Sequence, residues 1–307
     1  MWKVFIDGRA GTTGLRIHER LAARRDLTLI TLSEERRKDP LARQEALNAA
    51  DVAFLCLPDA AAEEAAQWTV NPSTALIDTS TAHRTADGWV YGFPELPGLR
   101  ERIRSSRRIA NPGCHASGFI ALVAPLVLSG ILPASAALSC FSLTGYSGGG
   151  KKMIAEYESE GRDPLLDAPR AYGLGQAHKH LPEMKAVSGL DAAPVFLPVV
   201  APYYAGMEVT VPLFSPMICG SADDIRACYR ETYREGLIRY ADGADEGGFL
   251  SAARFAGRDD MEVAVFGNEE RIVLAARFDN LGKGASGAAI QNMNILLGVD
   301  ETCGLVV

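Results

Sequence analysis

The first twenty-five residues limit the fold more than any other stretch. Trp2–Asp7 is a strand-like apolar run that enters Gly8-Arg9-Ala10-Gly11-Thr12-Thr13-Gly14, and a helical pattern follows from Leu15 to about Arg25. Strand, glycine-rich turn and helix in that order let the backbone approach a phosphate, with helix N–H groups directed at it. The spacing is G-x-x-G-x-x-G rather than G-x-G-x-x-G, and a ligand-free turn of the same composition is the competing reading. What decides between them is whether the alternation continues.

It does continue. Leu27–Leu32, Asp51–Leu57 (ending at Pro58) and Thr74–Asp78 (ending near Ser80) read as further strands, with a helix over Ala60–Trp68. Arg107–Asn111 adds another. The pattern predicts an α/β chain with an N-terminal Rossmann-type, doubly wound parallel sheet whose ligand lies at the carboxyl strand ends. Gly8, Gly11, Thr12, Thr13, Gly14, Pro58 and Ser80 are the cofactor-binding candidates at those ends. After the second strand comes Ser33-Glu34-Glu35-Arg36-Arg37-Lys38, at the adenosine ribose position. Arginines there suit the 2′-phosphate of NADP, so Ser33, Arg36 and Arg37 join the candidates, with Glu34 and Glu35 turned to solvent. A solvated charged loop is the alternative reading.

The next strand leads into Asn111-Pro112-Gly113-Cys114-His115-Ala116-Ser117-Gly118, followed by the nearly apolar Phe119–Leu128. Pro112 and Gly113 make a sharp turn, so Cys114 falls in the first turn of a buried helix. The helix dipole there favours an anion and a nucleophilic thiolate. A small buried core residue is the competing role. The six cysteines include no C-x-x-C pair, which argues against zinc and disulfide frameworks and suits a reducing, cytoplasmic setting. With 48% apolar and 22% charged residues, a net charge of −7 and no basic stretch, nucleic acid is not an expected partner. Phe119–Leu128 is too short to span a membrane.

Beyond Gly130 the pattern changes. Ala136–Thr144, Val195–Val200, Met207–Phe214, Met261–Phe266 and Arg271–Phe278 read as strands, the last two as a hairpin across Gly267-Asn268-Glu269. Ser221-Ala222-Asp223-Asp224 starts a helix reaching about Glu235, and Lys283–Leu297 forms the last one. Strands with few helices between them predict a second domain of α+β type. Gly145 to Lys152, with Ser147 and Gly148, could hold an anion or be a flexible loop. Of five histidines, His178 and His180 share a loop before Pro182-Glu183, where one could serve a cysteine nucleophile as base or acid. No further ligands at sensible spacing support a metal. His18 reads as structural, and His115 as a helix cap.

Four segments now carry a resemblance. Asn111-Pro112-Gly113-Cys114, Val90-Tyr91-Gly92-Phe93-Pro94-Glu95-Leu96, His178-Lys179-His180-Leu181-Pro182-Glu183 and Asn280-Leu281-Gly282-Lys283-Gly284-Ala285-Ser286-Gly287 resemble the N-acetyl-gamma-glutamyl-phosphate reductase family in its short form. The N-terminal turn and Ile77-Asp78-Thr79-Ser80 resemble it too. Two departures are His115, where an aromatic residue is usual, and Ser117, where threonine is. The resemblance implies an NADP-binding domain over 1–113, completed by 283–307, and a catalytic and oligomerisation domain over 114–282. It implies a homo-oligomer, dimer or tetramer, that reversibly reduces N-acetyl-L-glutamyl 5-phosphate to the 5-semialdehyde and phosphate in arginine biosynthesis. Cys114 is then the nucleophile and His180 the acid/base, with His178 and Glu183 as partner and orienter. Asn111, Ser147 and Gly148 would face substrate, and Asn280 and Lys283 the nicotinamide or substrate. The rivals are a related acyl-phosphate reductase, such as an aspartate-semialdehyde dehydrogenase or an aminoadipyl-phosphate reductase, and a non-enzymatic NADP-sensing module.

Overall fold

Short apolar runs separated by helices fold into a six-stranded sheet in the order β2-β1-β3-β4-β6-β5, every pair of neighbours parallel. The strands are β1 (Trp2–Asp7), β2 (Leu27–Ile30), β3 (Val52–Leu55), β4 (Ala75–Asp78), β5 (Val90–Tyr91) and β6 (Arg108–Ala110). The helices between them are α1 (Thr12–Ala22), α2 (Pro40–Ala49), α3 (Asp59–Trp68) and α4 (Leu99–Ser105). The strand order reverses at β1, which lies between β2 and β3, so the turn after β1 occupies the switch point where such sheets bind ligands.

The computed structural model describes residues 1–307, and they divide into two units. The first is Met1–Pro94, Gly98–Pro112 and Ala285–Leu305; the second is Glu95–Pro97, Gly113–Gly284 and Val306–Val307.

In the first unit the strands are apolar on both faces because both are covered. Val4, Ile6, Val52, Phe54 and Ile77 pack under Ile17 and Leu21 of α1. The alternate residues Phe5, Ala53, Leu55 and Leu76 pack under Ala46 and Leu47 of α2 and Ala62 and Ala65 of α3. The start of α2 is specified locally. Asp39 is its N-cap and accepts from the Leu41 N–H (3.0 Å), and Pro40 occupies the first helical position.

The second unit begins with α5 (Cys114–Leu128) and holds a seven-stranded mixed sheet. In chain order its strands are β7 (Ser139–Gly145), β8 (Arg170–Ala171), β9 (Val195–Ala201), β10 (Met207–Phe214), β11 (Ile238–Tyr240), β12 (Met261–Gly267) and β13 (Arg271–Phe278). The helices are α6 (Gly150–Glu158), α7 (Leu181–Ser188) and α8 (Ala222–Thr232). The expected hairpin is present as the antiparallel pair β12–β13, and Ser221 and Asp224 form the expected capping box of α8.

Nearly all of α5 is buried, including Pro125 inside it. A proline there removes the N–H that would bond the Ala121 carbonyl. The Tyr233 hydroxyl donates to that carbonyl instead (2.6 Å), and Tyr229 donates to the neighbouring Leu122 carbonyl (2.6 Å). Two tyrosines thus satisfy the helix where its own ladder is broken. No helix is long and apolar enough to cross a membrane.

The chain then returns to the first unit. The helix expected from Lys283 starts later: Gly282–Ser286 forms a π-helical turn, and α9 (Gly287–Leu297) follows it. Ala289, Ile290, Met293 and Ile295 of α9 enter the same cluster as Val4 and Phe54.

Candidate active site

Cys114 occupies the first position of α5, as its turn predicts, and Gly113 before it is extended at φ −79° and ψ 146°. No side chain caps the helix, so the first N–H groups of α5 face the region of the sulfur without intrahelical acceptors. The Gly113 N–H is different. It donates to Glu183 Oε2 at 3.1 Å, and Glu183 Oε1 lies 4.0 Å from His180 Nε2. One buried carboxylate therefore holds the turn carrying the cysteine and lies beside the His180 ring. Two other thiols are unsuited to ionise: burial pushes Cys56 up to about 12 and Cys140 higher still.

His180 is the N-cap residue of α7, and Glu183 lies in that helix's first turn. The His180 N–H donates to His178 Nδ1 (3.2 Å), and the two rings sit edge to face at 4.8 Å. The loop before them is held by Gln176, which adopts φ +54°, a conformation that costs a non-glycine residue energy. Its amide offsets that cost by pairing with both backbone groups of Phe196, at 2.8 and 2.9 Å.

His115 does not cap α5. Its ring points into the second unit, with Nδ1 2.6 Å from Ser142 Oγ and Nε2 2.7 Å from Tyr172 Oη. Apolar burial on a helix that is buried all round draws the side chain inward, away from the backbone groups a cap would serve. Tyr172 is a site residue that the sequence did not reveal; its one signal is an aromatic ring in a glycine-rich loop before the histidines.

Several expected ligand residues have their polar atoms engaged within the protein. Asn280 accepts from Gly206 N–H and donates to Ser147 Oγ, both at 2.9 Å. Lys283 Nζ is 2.7 Å from Glu95 Oε1, with both side chains almost wholly buried. Asn111 donates to the Ala285 carbonyl (3.0 Å) and accepts from Asn292 (3.3 Å). Gly148 stands beside Thr144 and Asn280 in the turn after β7. Pro58 is the N-cap of α3, and Ser80 donates to Asp78 (2.8 Å) at the end of β4.

At the switch point of the first sheet, a cavity of about 240 Å³ is lined by Gly8, Arg9, His18, Thr31, Glu34 and Arg37, among others. Gly8 has φ +85°, and a Cβ there would lie 2.2 Å from the Cys56 carbonyl oxygen, so only glycine lets the turn pass β3. Thr12 Oγ1, in the first turn of α1, is buried with no hydrogen-bond partner. A phosphate oxygen is the partner such a hydroxyl suits, and the uncapped N-terminus of α1, with no acid in its first turn, suits the same charge. These residues fit a dinucleotide. The charged loop differs from expectation in two ways. Arg36 turns aside to Glu45 and Asp39, leaving Arg37 alone of the pair on the cavity wall, while Glu34 lines the cavity too and pairs with Arg37 at 2.6 Å. The turn's own Arg9, which bonds His18 at 3.4 Å, is the cation the sequence reading passed over, and it brings His18 into the cavity wall.

Comparison with known proteins matches two family models: the semialdehyde dehydrogenase NAD binding domain over residues 35–106, and the semialdehyde dehydrogenase dimerisation domain over residues 114–280. The chain is 44% identical to N-acetyl-gamma-glutamyl-phosphate reductase 2 of a Nostoc species, across 99% of both chains. It is 45% identical to the Pseudomonas putida protein of the same name, across 98% of each. Among solved structures, aspartate semialdehyde dehydrogenase II from Vibrio cholerae superposes with a TM-score of 0.73 at 19% identity, over 97% of this chain and 98% of that one.

Proposed function

The chain belongs to the N-acetyl-gamma-glutamyl-phosphate reductase family of semialdehyde dehydrogenases, and from that membership we propose how its residues carry out the reduction of N-acetyl-L-glutamyl 5-phosphate in arginine biosynthesis. The observation that carries the reading is the Glu183 carboxylate, bonded to the turn of Cys114 and 4.0 Å from His180. Cys114, as thiolate, attacks the acyl carbon; the C–O bond to phosphate breaks and a thioester remains on the sulfur. The N–H groups at the start of α5 stabilise the oxygen that becomes negative in that step. When bound, NADPH supplies the hydride that reduces the thioester carbonyl. His180 protonates the resulting alkoxide and removes that proton again as the thiohemiacetal collapses, the C–S bond breaking to release the aldehyde and restore the thiolate. Glu183 orients the His180 ring, 4.0 Å from its Nε2, while His178 fixes the loop backbone.

In the first unit, Gly8, Gly11, Thr12, Thr13 and Gly14 cradle the cofactor's pyrophosphate, and Arg9 and Arg37 face its 2′-phosphate. The outer face of the second sheet takes a second copy of this chain. Phe141, Val195 and Phe214 are 45%, 54% and 63% exposed on neighbouring strands, an apolar surface for which dimerisation is the natural use. Sedimentation should find a dimer or a tetramer; a monomer at micromolar concentration overturns this part. The same reading places the enzyme in the reducing cytoplasm, in keeping with six unbridged cysteines.

The deciding experiment is phosphate-dependent NADP+ reduction with N-acetylglutamate 5-semialdehyde, against aspartate semialdehyde and the aminoadipate analogue. Turnover should be confined to the first substrate and abolished in Cys114→Ala. His180→Asn should lower it by about two to four orders of magnitude, the usual worth of a general acid/base. Preference for either other aldehyde, or turnover in Cys114→Ala, sinks the reading.

A further inference from the structure

The charge on Lys283 is met inside the protein. Its Nζ and Glu95 Oε1 pair at 2.7 Å, with the two side chains 1% and 0% exposed, and the same oxygen accepts from the Leu237 N–H at 3.2 Å. Taking both charges out of water offsets most of what their attraction gains, so such a pair adds little stability over apolar side chains of the same size. What it can do is hold a place in the chain. Lys283 is the second residue of the π-turn Gly282–Ser286, a winding that persists where its surroundings hold it. Asp279, wholly buried, holds the near end. Its Oδ1 accepts from the Leu281 N–H (2.6 Å) and the Gly282 N–H (3.1 Å), and its carbonyl accepts from the Gly284 N–H (2.9 Å). The ion pair with Glu95 holds the turn through its next residue. The outcome is a close approach. A Cβ on Gly284 would lie 3.0 Å from Cys114 Cβ and 3.2 Å from the Phe278 ring, so the backbone of the turn is a wall against the carbon that carries the sulfur.

We propose that Lys283 and Glu95 are positioning residues for the nucleophile: their ion pair fixes the π-turn with Gly284 against Cys114 and so limits the directions in which the sulfur can point. This rests on Cys114 being the nucleophile, and it gives Lys283 a role other than contact with the nicotinamide or the substrate. Neutralising one member of the pair leaves the other as a buried charge without its counter-ion, which water or a displaced chain must then serve, and the turn moves. Neutralising both removes that demand. Glu95→Gln keeps an oxygen for the Leu237 N–H, and Lys283→Met keeps most of the side-chain length, so the double variant preserves the turn without either charge.

The test measures kcat and KM with N-acetylglutamate 5-semialdehyde, phosphate and NADP+, together with peptide-resolved alkylation of Cys114 by iodoacetamide, in variants of the full chain. Lys283→Met should lower kcat about ten- to a hundredfold, the usual effect of misplacing a reacting group, with both KM values within about twofold and the alkylation rate changed at least about threefold. The double variant Glu95→Gln/Lys283→Met should return kcat to within about threefold of the native enzyme. Gly284→Ala adds a Cβ to the wall and alters no charge, and it should lower kcat and slow alkylation as well. It also keeps the proposal open to refutation if Lys283→Met fails to fold. Unchanged kcat in Lys283→Met or in Gly284→Ala overturns the proposal. A double variant as slow as Lys283→Met would show the ammonium acting on the reactants, and a KM that rises while kcat holds would show a ligand contact; either result overturns the positioning role. A pair serving stability alone would lower the melting temperature and leave kcat and the alkylation rate of the folded protein in place, with the same consequence. Turnover in Cys114→Ala would instead remove the nucleophile reading, so the two failures are distinguishable.

Discussion

At His115 a catalytic neighbourhood and acid sensitivity meet in one side chain. Its folded-state pKa is about 3, against an ordinary 6.5. As pH falls below about 6.5, the unfolded chain takes up a proton that the folded chain refuses, so stability drops with pH and keeps dropping until the buried ring also protonates near 3. The slope is at most about 1.4 kcal/mol per pH unit in that window. His115→Asn should therefore be less stable at neutral pH yet lose less on acidification, read as chemical-denaturation midpoints between pH 7 and 4. Parallel curves for the two proteins would show that the ring does not govern acid stability. Cys114 was legible as a candidate because its Pro-Gly turn marks a helix start, whereas His180 and Glu183 were candidates through their shared loop and the family resemblance. The inward course of His115 was hidden, since nothing in Cys114-His115-Ala116 tells a cap from a side chain drawn into a core. Tyr172 was hidden because its partner, His115, lies 57 residues away on α5.

Element by element, legibility followed burial pattern. Strands such as Phe5–Ile6 and Phe54–Leu55 announce themselves because both faces of the first sheet are covered. The helix α2 buries only Ala42, Ala46 and Leu47, and α4 and α6 bury a single side chain each, Ile103 and Tyr157, so periodicity gave little sign of them. A helix was expected from Lys283, but Gly282–Ser286, with two glycines in five residues, winds as a π-turn, with a Gly284 Cβ position only 3.0 Å from Cys114 Cβ and from the Asp279 carbonyl. In the loop after β2, position along the chain could not say which arginine faces the cavity; three-residue spacing with Glu34 and Asp39 divides the roles. Arg37→Ala should weaken NADPH binding about ten- to a hundredfold and leave NADH binding nearly unchanged, as expected for loss of a charged hydrogen bond to the 2′-phosphate. Arg36→Ala should change neither. Calorimetric titration with both nucleotides reads this directly, and equal losses for the two variants would refute the assignment.

Over the whole molecule, the first unit is assembled from three separate stretches of chain, and its last stretch supplies α9. That helix is not an ornament on a finished domain. Asn292 donates to the Gly92 carbonyl at 3.0 Å, and Asn294 accepts from Arg24 at 2.5 Å and donates to the Glu301 and Cys303 carbonyls at 2.9 Å. A chain ending at Gly284 should keep neither a cooperative melt of the first sheet nor nucleotide binding, and it should bind a hydrophobic dye; retention of nucleotide affinity would contradict this. On the ribosome the same arrangement becomes a matter of timing. The strands of the first sheet are made early, but α9, which shares the cover of one face with α1, is made after most of the second unit has emerged, on the order of ten seconds or more later at ordinary elongation rates. Throughout that interval the part of the apolar face that α9 covers is left open, and a ribosome that pauses near the end of the message prolongs the exposure. Yield in the cell should accordingly depend on chaperone supply and on the speed of decoding the last few dozen codons, before any property of the folded enzyme comes into play.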